Sequence, residues 1–151
     1  MSDNWIALIP RDPRYVPSTP QRMQARDLFR RLAPKADEIT IIVGDDIRFF
    51  DCGANLERIT CPSCNSDISL EWWQDRMKDD SDNGSFKLQA YPMPCCSATH
   101  TLNELKYDWQ QAFGRFAIEA MNPDLGELDE NRIQEFAELL GTSLRVVYQH
   151  I

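Results

Sequence analysis

Cys61 and Cys64, in Cys-Pro-Ser-Cys, and Cys95 and Cys96, in Pro-Met-Pro-Cys-Cys-Ser, are the residues whose type and spacing could do chemistry. A CxxC turn aims two thiolates at one point, and a second cysteine pair can close a tetrahedral zinc site. The second pair is irregular, because a regular knuckle would carry a cysteine at 93, where the chain has Met93. Successive side chains diverge, so Cys95 and Cys96 can both ligate only from a bent backbone. The expected ligands are Cys61, Cys64, Cys95 and Cys96. In the alternative set His100 replaces one of the last two. Four thiolates fill the sphere of a zinc ion, so the expected Zn2+ is structural.

Competing readings of the cysteines are weaker. Buried free cysteines pack as small hydrophobes, but clustering with a CxxC favours metal. A redox CxxC would open a helix after a strand, whereas Asn65, a turn residue, follows Cys64. The count of five is odd, and a reducing compartment keeps thiolates free, which opposes a disulfide framework. Cys52 stands outside the scheme and is expected to pack in the core or a loop.

Other chemistry-bearing residues are sparse. His100 and Glu104 lie four apart and could serve a zinc-dependent hydrolase, but that needs three protein ligands and an open position. No HExxH, GxSxG, P-loop or GxGxxG motif occurs, and no carboxylate pair stands out, so no catalysis is expected. Trp72 and Trp73 are adjacent on an expected helix and face about 100° apart, so one should pack inside while the other could anchor a partner. Asp79, Asp80 and Asp82 lack the spacing of a calcium loop and read as a solvated turn.

The elements that must position these residues follow from periodicity and punctuation. Trp5 to Ile9 reads as a strand ended by Pro10. Ser18-Thr19-Pro20 starts a helix whose apolar face is Ala25, Leu28, Phe29 and Leu32, and Pro34 stops it. Glu38 to Val43 is a β-branched strand; Gly44-Asp45-Asp46 reads as a turn and Ile47 to Phe50 as the next strand. Asp67 to Lys78 reads as a helix, Phe86 to Tyr91 as a strand, Leu102 to Trp109 as a helix and Phe113 to Met121 as an alternating strand. Asp129 caps a helix showing Ile133, Phe136, Ala137 and Leu140, closed by Gly141, before a last strand over Leu144 to Tyr148. The expected fold is α+β: a mixed or antiparallel sheet, two to three helices, and one domain over 1–151 with a metal-binding insertion at about 52–100.

Composition bounds the partners. The 151 residues carry a net charge of −8, with 42% hydrophobic and 26% charged residues. Residues 1–35 hold seven Lys/Arg against three Asp, and the remainder has a net charge of −12. Such a balance opposes nucleic-acid binding and favours steering of a basic protein partner. Met1 to Pro10 lacks a basic leader, and no stretch approaches the ~20 apolar residues of a membrane span. A cytoplasmic protein that does not enter the membrane is expected.

The strings Asp51-Cys-Gly-Ala-Asn55, Cys61-Pro-Ser-Cys64, Trp72-Trp73, Pro94-Cys95-Cys96 and Asn122-Pro123 together resemble small uncharacterised bacterial proteins with a zinc-ribbon-like element. In size and charge the chain is similar to immunity partners of toxins. The likeness implies a non-catalytic, zinc-stabilised protein-binding module of immunity or adaptor type. The rival classes are a zinc-ribbon nucleic-acid binder, with Arg22, Arg26, Arg30 and Arg31 forming a basic stripe, and the zinc-dependent hydrolase.

Overall fold

The architecture comes from a computed structural model that describes residues 3–151. Met1 and Ser2, the start of the segment read above for a leader, lie outside the described residues. In chain order the elements are β1 (Asn4–Pro10), α1 (Thr19–Leu32), β2 (Glu38–Phe50), β3 (Ile59–Thr60), β4 (Asp67–Ile68), α2 (Leu70–Asp80), β5 (Ser81–Asp82), β6 (Ser85–Phe86), β7 (Tyr91–Pro92), β8 (Thr99–His100), β9 (Lys106–Tyr107), β10 (Ala112–Met121), α3 (Glu130–Leu140) and β11 (Leu144–His150). The fold is α+β. Its main sheet has the order β11-β1-β10-β2, and every pair in it is antiparallel.

Local chemistry forms the two flanking helices. Ser18 accepts the Gln21 N–H, and Gln21 Oε1 accepts the Ser18 N–H, a reciprocal cap that satisfies two orphan donors at the start of α1. Asp129 caps α3 through the Arg132 N–H, and Gly141 ends it at φ 77°. Both helices lay apolar stripes on one face of the sheet. Ala25, Leu28, Phe29, Phe136 and Leu140 meet Ile6, Leu8, Phe116, Ile118 and Ala120 there. The Phe29 and Phe136 rings stand 5.2 Å apart, tilted by 57°. Ile133 and Ala137, expected inside, are only half-buried.

The opposite face of the sheet is covered as well. Ala7, Ile9, Ala112, Ala117 and Val147 pack there with Phe50 and Cys52. Burial on both faces explains why β10 reads AFGRFAIEAM, with only Arg115, Glu119 and Met121 half-exposed.

β2 differs from the expected hairpin. It is one strand of 13 residues that runs through Gly44-Asp45-Asp46 without turning. The pairing register shifts there: Phe116 faces Val43 but Gly114 faces Arg48. Arg115 Nε donates to the Gly44 carbonyl at 3.0 Å and holds the irregular stretch in place. Ile39 and Ile41 therefore serve the helix-covered layer, while Ile47 and Phe49 reach a second core.

That second core is formed where residues 51–111 pack on the ends of β2 and β10. Ile47, Ile59, Ile68, Trp73, Met93, Leu102, Leu105, Tyr107 and Phe113 are buried in it. Aromatic rings knit it together, with Phe49–Phe113 centroids at 4.9 Å and Phe86–Phe113 at 5.2 Å. Trp73 Nε1 donates to Tyr107 Oη, which in turn donates to the Leu102 carbonyl, so neither buried polar group is orphaned. The segment expected as a helix at 102–109 is a turn followed by β9, which pairs with β3. Helix α2 starts later than the expected Asp67, at Leu70 behind the Ser69 cap, because Asp67 and Ile68 are taken up in β4.

Gly53 locks this segment to the sheet. The Ala54 N–H bonds the His150 carbonyl at 2.9 Å, covering the free edge of β11. Gly53 has φ +65°, and a Cβ would overlap the His150 carbonyl oxygen. Gly53→Ala is expected to cost about 2–3 kcal/mol in chemical denaturation, from left-handed backbone strain and the clash. An unchanged midpoint would refute this account of the loop.

Candidate metal centre

Two hairpins deliver the four cysteines. In the first, β3 pairs with β4, and the Cys61 N–H bonds the Ser66 carbonyl at 2.9 Å. The Asn65 N–H bonds the Cys61 carbonyl at 3.0 Å. Asn65 takes φ +61°, which an asparagine tolerates better than most residues and which reverses the chain after Cys64. In the second hairpin β7 pairs with β8, and the Met93 N–H bonds the Ala98 carbonyl. Between those two residues the backbone bends continuously from Pro94 to Ser97. This bend lets the neighbouring side chains of Cys95 and Cys96 converge. Met93 is buried in the second core and anchors the hairpin there.

All four Sγ atoms lie within 4.8 Å of one another. Cys61 and Cys96 are 3.9 Å apart, and Cys64 and Cys95 3.3 Å. A tetrahedral thiolate centre with bonds of ~2.3 Å spaces its sulfurs about 3.8 Å apart. The cluster could therefore hold a metal ion. Cys61 is fully buried, whereas Cys64 and Cys95 are exposed, so the centre sits at the rim of the second core.

Crowding splits the acidities of the neighbouring thiols. Hydrogen bonds from the Ser66 hydroxyl and N–H, and then from the Cys95 thiol, bring Cys64 down to about 6. Cys95 is pushed up to about 12, first by its hydrogen bond to Cys64 and then by desolvation. Four thiolates this close repel one another, and a bound cation removes that penalty.

His100 lies outside this set of sulfurs. Its Nε2 sits 2.6 Å from Ser63 Oγ, inside the CxxC turn, and its Nδ1 3.1 Å from Glu104 Oε2. With Nδ1–H donated to the carboxylate, Nε2 accepts the Ser63 hydroxyl. Glu104 is held below the usual carboxylate range, chiefly by the Thr101 N–H and then by His100. The residues expected as a hydrolytic pair thus clasp one hairpin to the other. The role of Ser63 was not readable from sequence, because its partner lies 37 residues away.

The remaining candidates are placed as follows. Trp73 is buried against Tyr107, and Trp72 is half-buried with the Arg76 guanidinium 5.5 Å over its ring. Cys52 is buried; desolvation raises its thiol to about 11, and its N–H and thiol both face Gln111 Oε1. Asp80, expected in a solvated loop, is fully buried at the end of α2. Its carboxylate accepts the Leu88 and Gln89 N–H groups and the Tyr91 hydroxyl at 2.8–2.9 Å. Residues 87–90, expected as part of a strand over Phe86 to Tyr91, are irregular, and Asp80 anchors this stretch where it leads through β7 to Cys95 and Cys96. Among the described residues, no helix is long and apolar enough to cross a membrane. No protein family, curated protein or solved structure matches this chain.

Proposed function

We propose that this protein is a non-catalytic, zinc-stabilised protein-binding module of immunity or adaptor type, acting in the cytoplasm on a basic partner. The convergence of four cysteine sulfurs from two hairpins carries the reading. Sulfur donors in a set of four suit zinc and leave no position for a reactive water. The hydrogen bonds on both nitrogens of His100 favour the four-cysteine set over the set that includes His100, and weigh against the hydrolase. The two hairpins resemble the paired knuckles of a zinc ribbon, with α2 inserted between them.

The net charge of −12 beyond residue 35 supports a basic partner, because charge raises the association rate. A metal-stiffened scaffold lowers the ordering cost of binding. Of the two adjacent tryptophans Trp73 is buried, and half-buried Trp72 offers the anchor on the α2 surface. On α1 the Arg22 guanidinium is tied to the Pro17 carbonyl and Arg26 is half-buried, which weakens the basic stripe that a nucleic-acid binder would need. Affinity capture from the native host tests the choice. A basic protein released by salt is the expected result; nucleic acid recovered with salt-dependent binding, and no protein, would favour the rival.

A further inference from the structure

A cavity of about 790 Å³ lies at the far end of the main sheet from the β2 bulge, walled by the ends of β1 and β11, by the segment 122–127 and by Asn55 and Trp109. Its volume is that of a ligand site. Trp5, Trp109 and Tyr148 supply aromatic surface, and Asp124 and Glu127 supply two carboxylates. No lysine or arginine lines it.

The amide groups in the lining decide its polarity. Asn55 spends its NH2 on the Tyr148 carbonyl, Gln149 on Asp51, and Asn122 on Asp3 and Asp37. Each of the Asn55 and Gln149 bonds uses one of the two N–H groups of the amide, and both side chains keep their carbonyl oxygens as acceptors. His150 Nδ1 lies 2.6 Å from Asn4 Oδ1, which fixes the imidazole in the cavity wall. Asp124 meets Lys35 at 3.6 Å in a largely exposed pair of little strength. Among the described residues Glu127 has no ion pair, and its charge reaches the Tyr148 hydroxyl. The cavity therefore combines two carboxylates, amide carbonyl oxygens and ring faces with no lysine or arginine in its wall. This suits a flat cation with several donors.

The rim indicates what carries that cation. Trp109 is 40% exposed and Leu125 37%, large apolar side chains standing at the mouth. A free polar metabolite would leave them in water, whereas a polypeptide lying across the opening covers them.

We infer that this cavity binds an arginine side chain presented by a partner polypeptide. The identity of the carrier rests on the protein-binding reading above; the preference for a guanidinium does not. The site is separate from the cysteine cluster, since none of the four cysteines lines it.

The test is a titration of the metal-loaded protein with acetyl-Gly-Arg-Gly-amide, followed by NMR at the indole N–H signals of Trp5 and Trp109. Binding with Kd of about 1 mM, with both signals shifting, is expected for a single side chain. The citrulline analogue, which keeps the shape and loses the charge, should bind at least about tenfold more weakly. Glu127→Gln, at an exposed side chain, should weaken the arginine peptide at least about threefold while melting as the parent does, and Trp109→Phe, which keeps a ring in the wall, should bind it at least about twofold more weakly. Equal binding of the citrulline peptide, or no shift up to about 10 mM, overturns the guanidinium site. Free arginine binding as well as the peptide overturns the polypeptide carrier. The titration uses no cellular partner, so a failure here leaves the outcome of affinity capture intact, and the reverse also holds.

Discussion

Stripping the metal, or replacing Cys61 by serine, is expected to melt the segment 51–111 and to lower the thermal midpoint by more than about 10 °C. This segment has one helix of 11 residues, and each of its strands is two residues long. Strands that short contribute few ladder hydrogen bonds, so tertiary links must hold the segment. The cluster joins hairpins whose cysteines are separated by 30 residues in sequence. Binding at a structural four-ligand zinc site is worth about 10–16 kcal/mol at neutral pH. That is comparable to the whole stability of a typical domain, about 5–15 kcal/mol. Protein purified without chelator should carry one zinc per chain by elemental analysis. In chelator, the near-ultraviolet signal of Trp73 and Tyr107 should collapse. Because the four ligands must be thiolates, acid should release the metal and act like the chelator. A metal-free preparation with an unchanged melting curve would sink both the zinc and its structural role.

Asp80→Ala should cost about 3–5 kcal/mol, an unusually large loss for a residue of an acidic tract. The carboxylate is 0% exposed and makes three hydrogen bonds, two of them to backbone N–H groups. Truncation strands three donors, each worth about 1–3 kcal/mol when buried without a partner. Leu88 also sits at φ +54°, a conformation held by the bond from its own N–H to Asp80. Asp80→Asn should lose roughly half as much, because one oxygen still accepts. Both variants should retain metal less tightly, since the released segment leads into the hairpin that carries the second cysteine pair. Urea denaturation and competition with a chromogenic chelator measure the two effects. A change below about 0.5 kcal/mol for Asp80→Ala, the range of an ordinary surface site, would remove the anchoring role.

Sequence rules were strongest where the deciding atoms are close along the chain. Ser18 with Gln21, Asp129 with Arg132, and Gly141 all act within a few residues, and α1 and α3 stand where those residues imply. The apolar faces of these helices were visible for the same reason, because a stripe of period 3.6 needs only its own helix to be recognised. The CxxC turn likewise aims Cys61 and Cys64 together through bonds confined to residues 61–66.

Where a partner lies far away, the residues spoke less clearly. Gly44-Asp45-Asp46 has the composition of a turn, yet β10 and Arg115 hold it in a continuous strand. Residues 102–109 look helical, but Tyr107 is required beside Trp73, and β9 is drawn to β3. Asp80 resembles its solvated neighbours Asp79 and Asp82 until the chain folds back and brings three donors to it. The cavity is assembled from the two ends of the chain, the segment after β10 and two loops of residues 51–111, so no local pattern announces it.

From its residues alone, then, this chain specifies capped amphipathic helices, β-rich segments and a cysteine pair poised in a turn. Cys95 and Cys96 were legible as candidate partners of that pair, but only folding bends their hairpin so that both sulfurs converge, buries Asp80, turns His100 and Glu104 into a clasp and opens a cavity with carboxylates and rings in its wall. The division follows the range of the forces. Capping, periodicity and turn geometry are satisfied by near neighbours in sequence, whereas burial and long-range hydrogen bonding depend on which distant atoms the packed chain brings together.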